Sequence, residues 1–244
     1  MALLRLDKIL AETGRYSRGG AAAMIKRGLV TVDGALALSG AQKCDPECAV
    51  ISVCGEPLVY KKYVYLMMNK PAGVITATED NMHGTVIDLL SDELKGRGLF
   101  PVGRLDKDTD GLLLLTDDGD FAHRVISPSS GIYKRYFVRA DCAFTREEVA
   151  GFSRGIILRD NTKCLPALLE ISGDDNFTAH VEIMEGKYHQ IKRMMSVIGK
   201  KVLALRRVAI GKLFLDERLA PGEYRELTEH EISVIFHKMP ESEK

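Results

Sequence analysis

Long apolar runs are missing from this chain. The longest covers only a handful of residues, too short to cross a bilayer. The opening residues Met1-Ala2-Leu3-Leu4-Arg5-Leu6-Asp7-Lys8 are broken by charge and do not read as a signal peptide. The cytoplasm is therefore the expected compartment, with no membrane as partner. A net charge is missing too, since 34 Lys and Arg balance 34 Asp and Glu. Bulk charge lends no support to a polyanionic partner, and any such partner must be met by local charge. Cys44, Cys48 and Cys54 cluster, but no C-x₂-C pair and no nearby His completes a zinc site. The five cysteines are read as reduced thiols and no metal is expected. Neither G-x-x-x-x-G-K nor H-E-x-x-H occurs, and no internal repeat is evident.

What is present is an ordinary globular composition, 45% hydrophobic and 28% charged, in 244 residues, enough for one large or two modest domains. One stretch stands out, Gly103-Arg104-Leu105-Asp106-Lys107-Asp108-Thr109-Asp110-Gly111 followed by Leu112–Leu115 and Thr116. Three readings compete. Asp106, Asp108, Asp110, Gly111 and Asp117 fall on calcium-loop positions. That loop needs a helix on each side, however, and Pro101 with Gly96, Gly98 and Gly103 breaks any helix upstream. The leucine run is short and closed by Thr116-Asp117-Asp118-Gly119, which suits a buried strand. The second reading is a catalytic carboxylate on a loop feeding a core strand. The third is an Asp-rich turn without chemistry.

In chain order, Leu6, Ile9 and Leu10 share a helical face, and Ser17 caps a helix Arg18–Lys26 that Gly28 ends. Val30 and Val32 with Asp33-Gly34 signal a hairpin. Arg5, Lys8, Arg15, Arg18, Lys26 and Arg27 fall in this helix pair, either as a solvated surface or as a phosphate-contacting face. Gly55-Glu56-Pro57 to Lys61-Lys62 reads as a linker, giving domains 1–60 and 61–240. In the second, strands are expected at Tyr63–Met68, Leu112–Leu115, Tyr133–Arg139, Asn176–Met184 and Val202–Leu205. Asn69–Gly73 should turn. Helices are expected at Thr85–Leu90, Asp118–Ile126, after the capping box Thr145-x-x-Glu148, at His189–Ile198, and after Thr228-x-x-Glu231. Strands with interspersed helices, not strictly βαβ, indicate an α+β fold.

The basic charge is unevenly spread. Lys187, Lys192, Arg193, Lys200, Lys201, Arg206, Arg207 and Lys212 occupy a segment with no Asp or Glu. On the helix His189–Ile198 the apolar face is Ile191, Met194, Met195 and Ile198. Lys192 lies at its edge and Arg193 is expected in solvent. A solvated basic helix is one reading; a phosphate-binding wall with Lys192 turned towards the active carboxylate is the other.

Two resemblances follow. Arg5-Leu6-Asp7-Lys8-Ile9-Leu10, Ser17-Arg18, Ile25-Lys26-Arg27-Gly28-Leu29-Val30 and Val32-Asp33-Gly34 resemble a small RNA-binding module. That module is named after a primary-binding protein of the small ribosomal subunit and also occurs in bacterial tyrosyl-tRNA synthetases. The remainder resembles pseudouridine synthases of the branch that modifies ribosomal RNA at single sites. The matching motifs are Met68-Asn69-Lys70-Pro71-Ala72-Gly73, Gly103–Thr116, Tyr133-Lys134-Arg135-Tyr136, Glu185–Met194 and Leu205-x-Arg207-x-x-Ile210-Gly211. Many large-subunit relatives carry Arg where this chain has Lys192, so the chain looks more like the small-subunit synthase A group.

The resemblance implies isomerisation of a uridine in 16S ribosomal RNA, with a 23S uridine as the alternative, by a mostly antiparallel mixed sheet with flanking helices. The N1–C1′ bond breaks, uracil turns, and a C5–C1′ bond forms. No redox change occurs and no group is imported, so no cofactor is required. Asp106 would act as nucleophile or base and Lys192 as its cationic partner, while Tyr136, the third catalytic residue, would stack on the uracil and help remove the C5 proton. Arg104 would fill the place of the flipped base and Leu205 would pack on the ring. Asp108 and Asp110 would shape the loop. Lys187, Arg193 and Arg207 would join the N-terminal cations in RNA binding. The expected partner is ribosomal RNA, free or in a partly assembled small subunit, met by a monomer. The rival from another class is a non-catalytic RNA-binding or assembly protein, which has no need of Asp106, Tyr136 and Lys192 together. A two-carboxylate glycosidase is weaker, because no Glu partner is evident near the tip.

Overall fold

The first hydrophobic cluster is built from helical spacing. A computed structural model describes residues 3–237; the domain end expected at 240 lies outside them. After β1 (Leu4–Arg5), α1 (Leu6–Glu12) buries Leu6, Ile9 and Leu10 completely. In α2 (Arg18–Lys26) the Ser17 hydroxyl accepts from Gly20 N at 3.1 Å, and Gly28 at φ +71° ends the helix region. Strands β2 (Val30–Val32) and β3 (Ala35–Leu36) form the expected hairpin, with Asp33 and Gly34 both at positive φ. Next come β4 (Lys43–Cys44), paired with β1, then β5 (Ile51–Val53) and β6 (Glu56–Pro57). The small sheet runs β3-β2-β5-β6. The expected linker is thus partly wrong: Glu56–Pro57 is an edge strand, where proline's missing N–H costs no ladder bond.

The chain divides into two compact units. One comprises residues up to Val64 together with Ile87–Phe100, and the other Tyr65–Val86 together with the chain from Pro101 onward. The first unit therefore includes α3 (Asp92–Gly96). The helix expected at Thr85–Leu90 is a series of turns instead. The helix starts only after Ser91, whose hydroxyl accepts from Leu94 N, and Asp92 and Glu93 occupy its first turn. Arg15 Nε donates to Glu93 at 2.8 Å within the same unit.

The second unit is a nine-stranded sheet, with main order β11-β12-β10-β13-β9-β7-β15. Its strands are β7 (Tyr65–Lys70), β8 (Phe100–Pro101), β9 (Asp110–Thr116), β10 (Lys134–Ala140), β11 (Leu168–Ser172), β12 (Thr178–Ile183), β13 (Val202–Ile210), β14 (Leu213–Phe214) and β15 (Tyr224–Glu226). Neighbours on this path are antiparallel except β9 and β13, which run parallel. Helices α4 (Gly119–Ile126), α5 (Arg146–Arg154), α6 (Gln190–Val197) and α7 (Glu229–Val234) complete the α+β unit. Both expected capping boxes are present, at Thr145/Glu148 and Thr228/Glu231. Leu112, Leu113, Leu114 and Leu115 are all buried in central β9, each worth about 1.5–3 kcal/mol of apolar burial. β7 begins later than expected and continues through Asn69 and Lys70, so the turn is displaced to Pro71–Gly73. β13 runs five residues past Leu205, to Ile210, which reverses the orientation expected for Arg207. β11 was not anticipated at all.

Candidate active site

Asp106 sits on the loop that enters β9, and that loop is held by its own backbone. The Lys70 side chain, wholly buried at the end of β7, donates from Nζ to Pro71 O (3.0 Å), Asp106 O (3.2 Å) and Thr109 O (2.9 Å). Burial lowers the Lys70 ammonium to about 8, with the nearby Asp110, Asp108 and Asp106 opposing part of that effect. Thr76 closes the other side: its hydroxyl donates to Leu105 O at 2.8 Å and accepts from Leu105 N at 3.2 Å. Gly111 is forced by geometry. It lies at φ +102°, and an added Cβ would stand 2.3 Å from Arg207 O on the parallel neighbour β13.

The carboxylates of the loop are divided between cations. Lys192 Nζ on α6 lies 3.0 Å from Asp106 Oδ2 and also pairs with Asp108. Burial works against the Lys192 charge, but the hydrogen bonds to Asp108 and Asp106 outweigh it, and its pKa lies above the ordinary lysine value. The same contact holds Asp108 below the usual carboxylate range. Asp110 turns away and pairs with Arg206 at 3.1 Å. This division matches the expected loop-building role of Asp108 and Asp110 only in part, because Asp108 shares the ammonium with Asp106.

Asp106, Tyr136, Lys192, Arg104 and Leu205 line one pocket of about 70 Å³. They come from two loop positions, β10, α6 and β13, which the sheet order brings together. Arg104 is exposed at the rim, while Tyr136 and Leu205 are buried. His189 lines the same pocket and places Nε2 3.4 Å from Asp106 Oδ1. It precedes α6 at φ +48°, a left-handed conformation uncommon for a non-glycine residue, and stacks on Tyr188 with centroids 3.9 Å apart. The positive φ is invisible in sequence. Lys70 could have been found from its place in a strand flanked by buried Met67, Met68 and Asn69.

The expected basic wall needs correction. Arg207 is 4% exposed, its Nε donating to Leu112 O at 2.7 Å, so it adds almost nothing to the outer surface. Lys200 is buried as well, donating to Ala143 O at 2.6 Å and pairing with Glu148. Lys187 pairs with Glu185, and Arg193 with Asp160 rather than facing free solvent. In the N-terminal unit Arg5 pairs with Asp7, Lys8 with Glu12 and Arg15 with Glu93. Arg18, Lys26 and Arg27 on and after α2 remain exposed. Among the described residues no group of three or more His, Cys, Asp or Glu is arranged to hold a metal, and all five cysteines are free thiols.

Comparison with known proteins agrees with this geometry. Residues 64–197 match the RNA pseudouridylate synthase family and residues 4–48 the S4 domain. An uncharacterised RNA pseudouridine synthase of Bacillus subtilis (strain 168) is 44% identical over 95% of this chain and 98% of that protein. The ribosomal small subunit pseudouridine synthase A of Vibrio cholerae is 42% identical, over 96% of this chain and 100% of that protein. The protein of the same name from Escherichia coli (strain K12) is 40% identical over 95% and 100%. A crystal structure of a pseudouridylate synthase superposes with a TM-score of 0.67 at 38% identity, covering 95% of this chain and 99% of that one.

Proposed function

Because this chain belongs to the RNA pseudouridylate synthase family, we propose that it isomerises a uridine of small-subunit ribosomal RNA to pseudouridine. The relatives named for the small subunit align end to end with it. The observation that carries the reading is the convergence of Asp106, Lys192, Tyr136, Leu205 and Arg104 on one pocket. A non-catalytic RNA-binding protein gives no reason for a carboxylate–ammonium pair beside a buried tyrosine.

In this reading Asp106 is the reactive carboxylate, as nucleophile at C1′ or as base. Lys192, at 3.0 Å, supplies a counter-charge and holds the carboxylate in place. The N1–C1′ bond breaks, uracil turns in the pocket, the C5–C1′ bond forms, and the C5 proton leaves. Tyr136 and Leu205 supply apolar surfaces for the ring. Arg104, at the exposed rim, takes the place of the extruded base, offsetting part of the few kcal/mol that flipping costs. His189, in contact with Asp106, is a further candidate for the proton step.

Residues 1–60 serve as the RNA-binding domain and 61–240 as the catalytic domain. Arg18, Lys26 and Arg27 are exposed cations of the RNA-binding domain, suited to phosphate contact. The protein acts in the cytoplasm as a monomer, on free RNA or on a partly assembled subunit. Among the described residues no helix is long and apolar enough to cross a membrane. The test is to map pseudouridines in ribosomal RNA from cells with and without the protein. Loss of one modification from small-subunit RNA is expected; an unchanged map, or a loss confined to the large subunit, contradicts the assignment.

A further inference from the structure

A second cavity, of about 480 Å³, lies beside the catalytic pocket and shares Arg104, Tyr136 and Gly186 with it. Its lining includes two buried cations. Lys134 on β10 is 8% exposed and Arg207 on β13 is 4% exposed. Tyr136 pairs with Arg207 in the register and lies two residues from Lys134, so all three share one sheet face. The Arg207 guanidinium stands 6.0 Å from the Tyr136 ring centre.

Neither cation is compensated. Lys134 Nζ donates to Ile132 O at 2.9 Å, which leaves two of its three protons without a protein acceptor. Arg207 spends Nε on Leu112 O, while its Nη2 is buried with no partner. The one carboxylate in the lining, Glu185, is committed to Lys187, to Gln190 Nε2 at 2.9 Å and to Leu165 N at 2.9 Å. Burial, reinforced by Arg207, lowers the Lys134 ammonium to about 8. Two like charges thus face one cavity with donors unspent, and burying charge without a counterion is unfavourable. An anion with several acceptor oxygens completes the arrangement, and a phosphate is the group that fits an arginine fork and an ammonium together.

We propose that this cavity is a phosphate site, taking the backbone phosphodiester next to the target uridine between Lys134 Nζ and Arg207 Nη2. The choice of RNA as its source rests on the functional reading above. Arg104 and Tyr136 wall both cavities, so a strand that delivers a uridine to Asp106 brings its adjoining phosphate to the second cavity. The site explains why Arg207, expected on the surface, is buried. It reads the backbone at one defined step rather than contributing to a diffuse basic wall.

The test has two arms on the full-length protein. Orthophosphate is titrated by calorimetry into the wild type and into Lys134→Met, which keeps the aliphatic stem and removes the charge. Binding in the wild type and a loss of about tenfold or more in the variant are expected. In the second arm, substrate RNA carries one neutral methylphosphonate at the linkage 5′ or 3′ of the target. At one of these two positions it should weaken wild-type binding about tenfold or more, and weaken Lys134→Met no further. The wild-type half of this arm needs no variant to fold. A flat orthophosphate titration together with unchanged RNA affinity at both linkages overturns the site. Orthophosphate binding with no methylphosphonate effect overturns the RNA source and leaves a site for free phosphate. Failure of the functional reading looks different, since the RNA is then never isomerised whatever its affinity.

Discussion

Replacing Lys70 by methionine removes the clamp on the Asp106 loop. The ammonium is fully buried and donates to three carbonyls at 2.9–3.2 Å. Bonds from a charged donor contribute about 2 kcal/mol each, so about 6 kcal/mol in all. Against this stands the burial of the charge. A fall from 10.5 to about 8 corresponds to about 3 kcal/mol. The net loss on substitution is about 3 kcal/mol, and the melting temperature should fall by about 6–12 °C for a chain of this size. Activity should fall further than stability explains. The carbonyls of Pro71, Asp106 and Thr109 lose their shared donor, the loop relaxes, and a displacement of about 1 Å at a reacting group costs about a hundredfold in rate. Calorimetric melting and single-turnover tritium release from 5-tritiated uridine RNA, below the melting range, measure the two effects separately. A variant with a lowered melting temperature but a wild-type rate would refute the positioning argument; one with neither effect would refute the clamp altogether.

Other predictions follow from the same geometry. Gly111→Ala should destabilise the protein by more than about 3 kcal/mol, because a Cβ would meet Arg207 O at 2.3 Å in a left-handed conformation; denaturant titration checks this. Lys192→Met should lower the single-turnover rate about a hundredfold or more while the melting temperature hardly moves, since this side chain is 23% exposed and its worth is at the reacting carboxylate. Lys70 and Lys134 both lie at about 8 in the folded protein, against about 10.4 for a lysine in the unfolded chain. Between these values the unfolded chain holds more protons, so unfolding free energy should rise from about pH 8 to about pH 10.4. The turnover rate should fall over the same range as Lys70 loses a donor. Melting curves and rates measured across that window test both signs.

The loop carrying Asp106 was legible because its signals are local. A short leucine run closed by Thr116-Asp117-Asp118-Gly119 suits a buried strand entered by the Asp-rich turn, and that strand is β9. Ser17, Thr145 and Thr228 announced their helices through side-chain caps that need no tertiary context. Arg207 was misread because charge counting ignores direction. Once β13 extends to Ile210, alternation from Leu205 puts Arg207 and Ala209 on the buried side and leaves Arg206 to meet Asp110. The register that extends the strand comes from pairing with β10, which no local pattern encodes. Thr85–Leu90 has apolar residues fit for a helix, yet the competing cap at Ser91 starts one only beyond it. The contact of His189 with Asp106 joins residues far apart in sequence and was beyond any local reading.

Asp106 is proposed as the reactive group of a pseudouridine-forming pocket, and replacing it tests that role most directly. Asp106→Asn keeps the side-chain shape and the backbone bonds of the loop while removing the charge that faces Lys192 at 3.0 Å. Turnover on small-subunit ribosomal RNA should vanish, with RNA affinity close to that of the wild type. Retained pseudouridine formation by this variant would contradict the account.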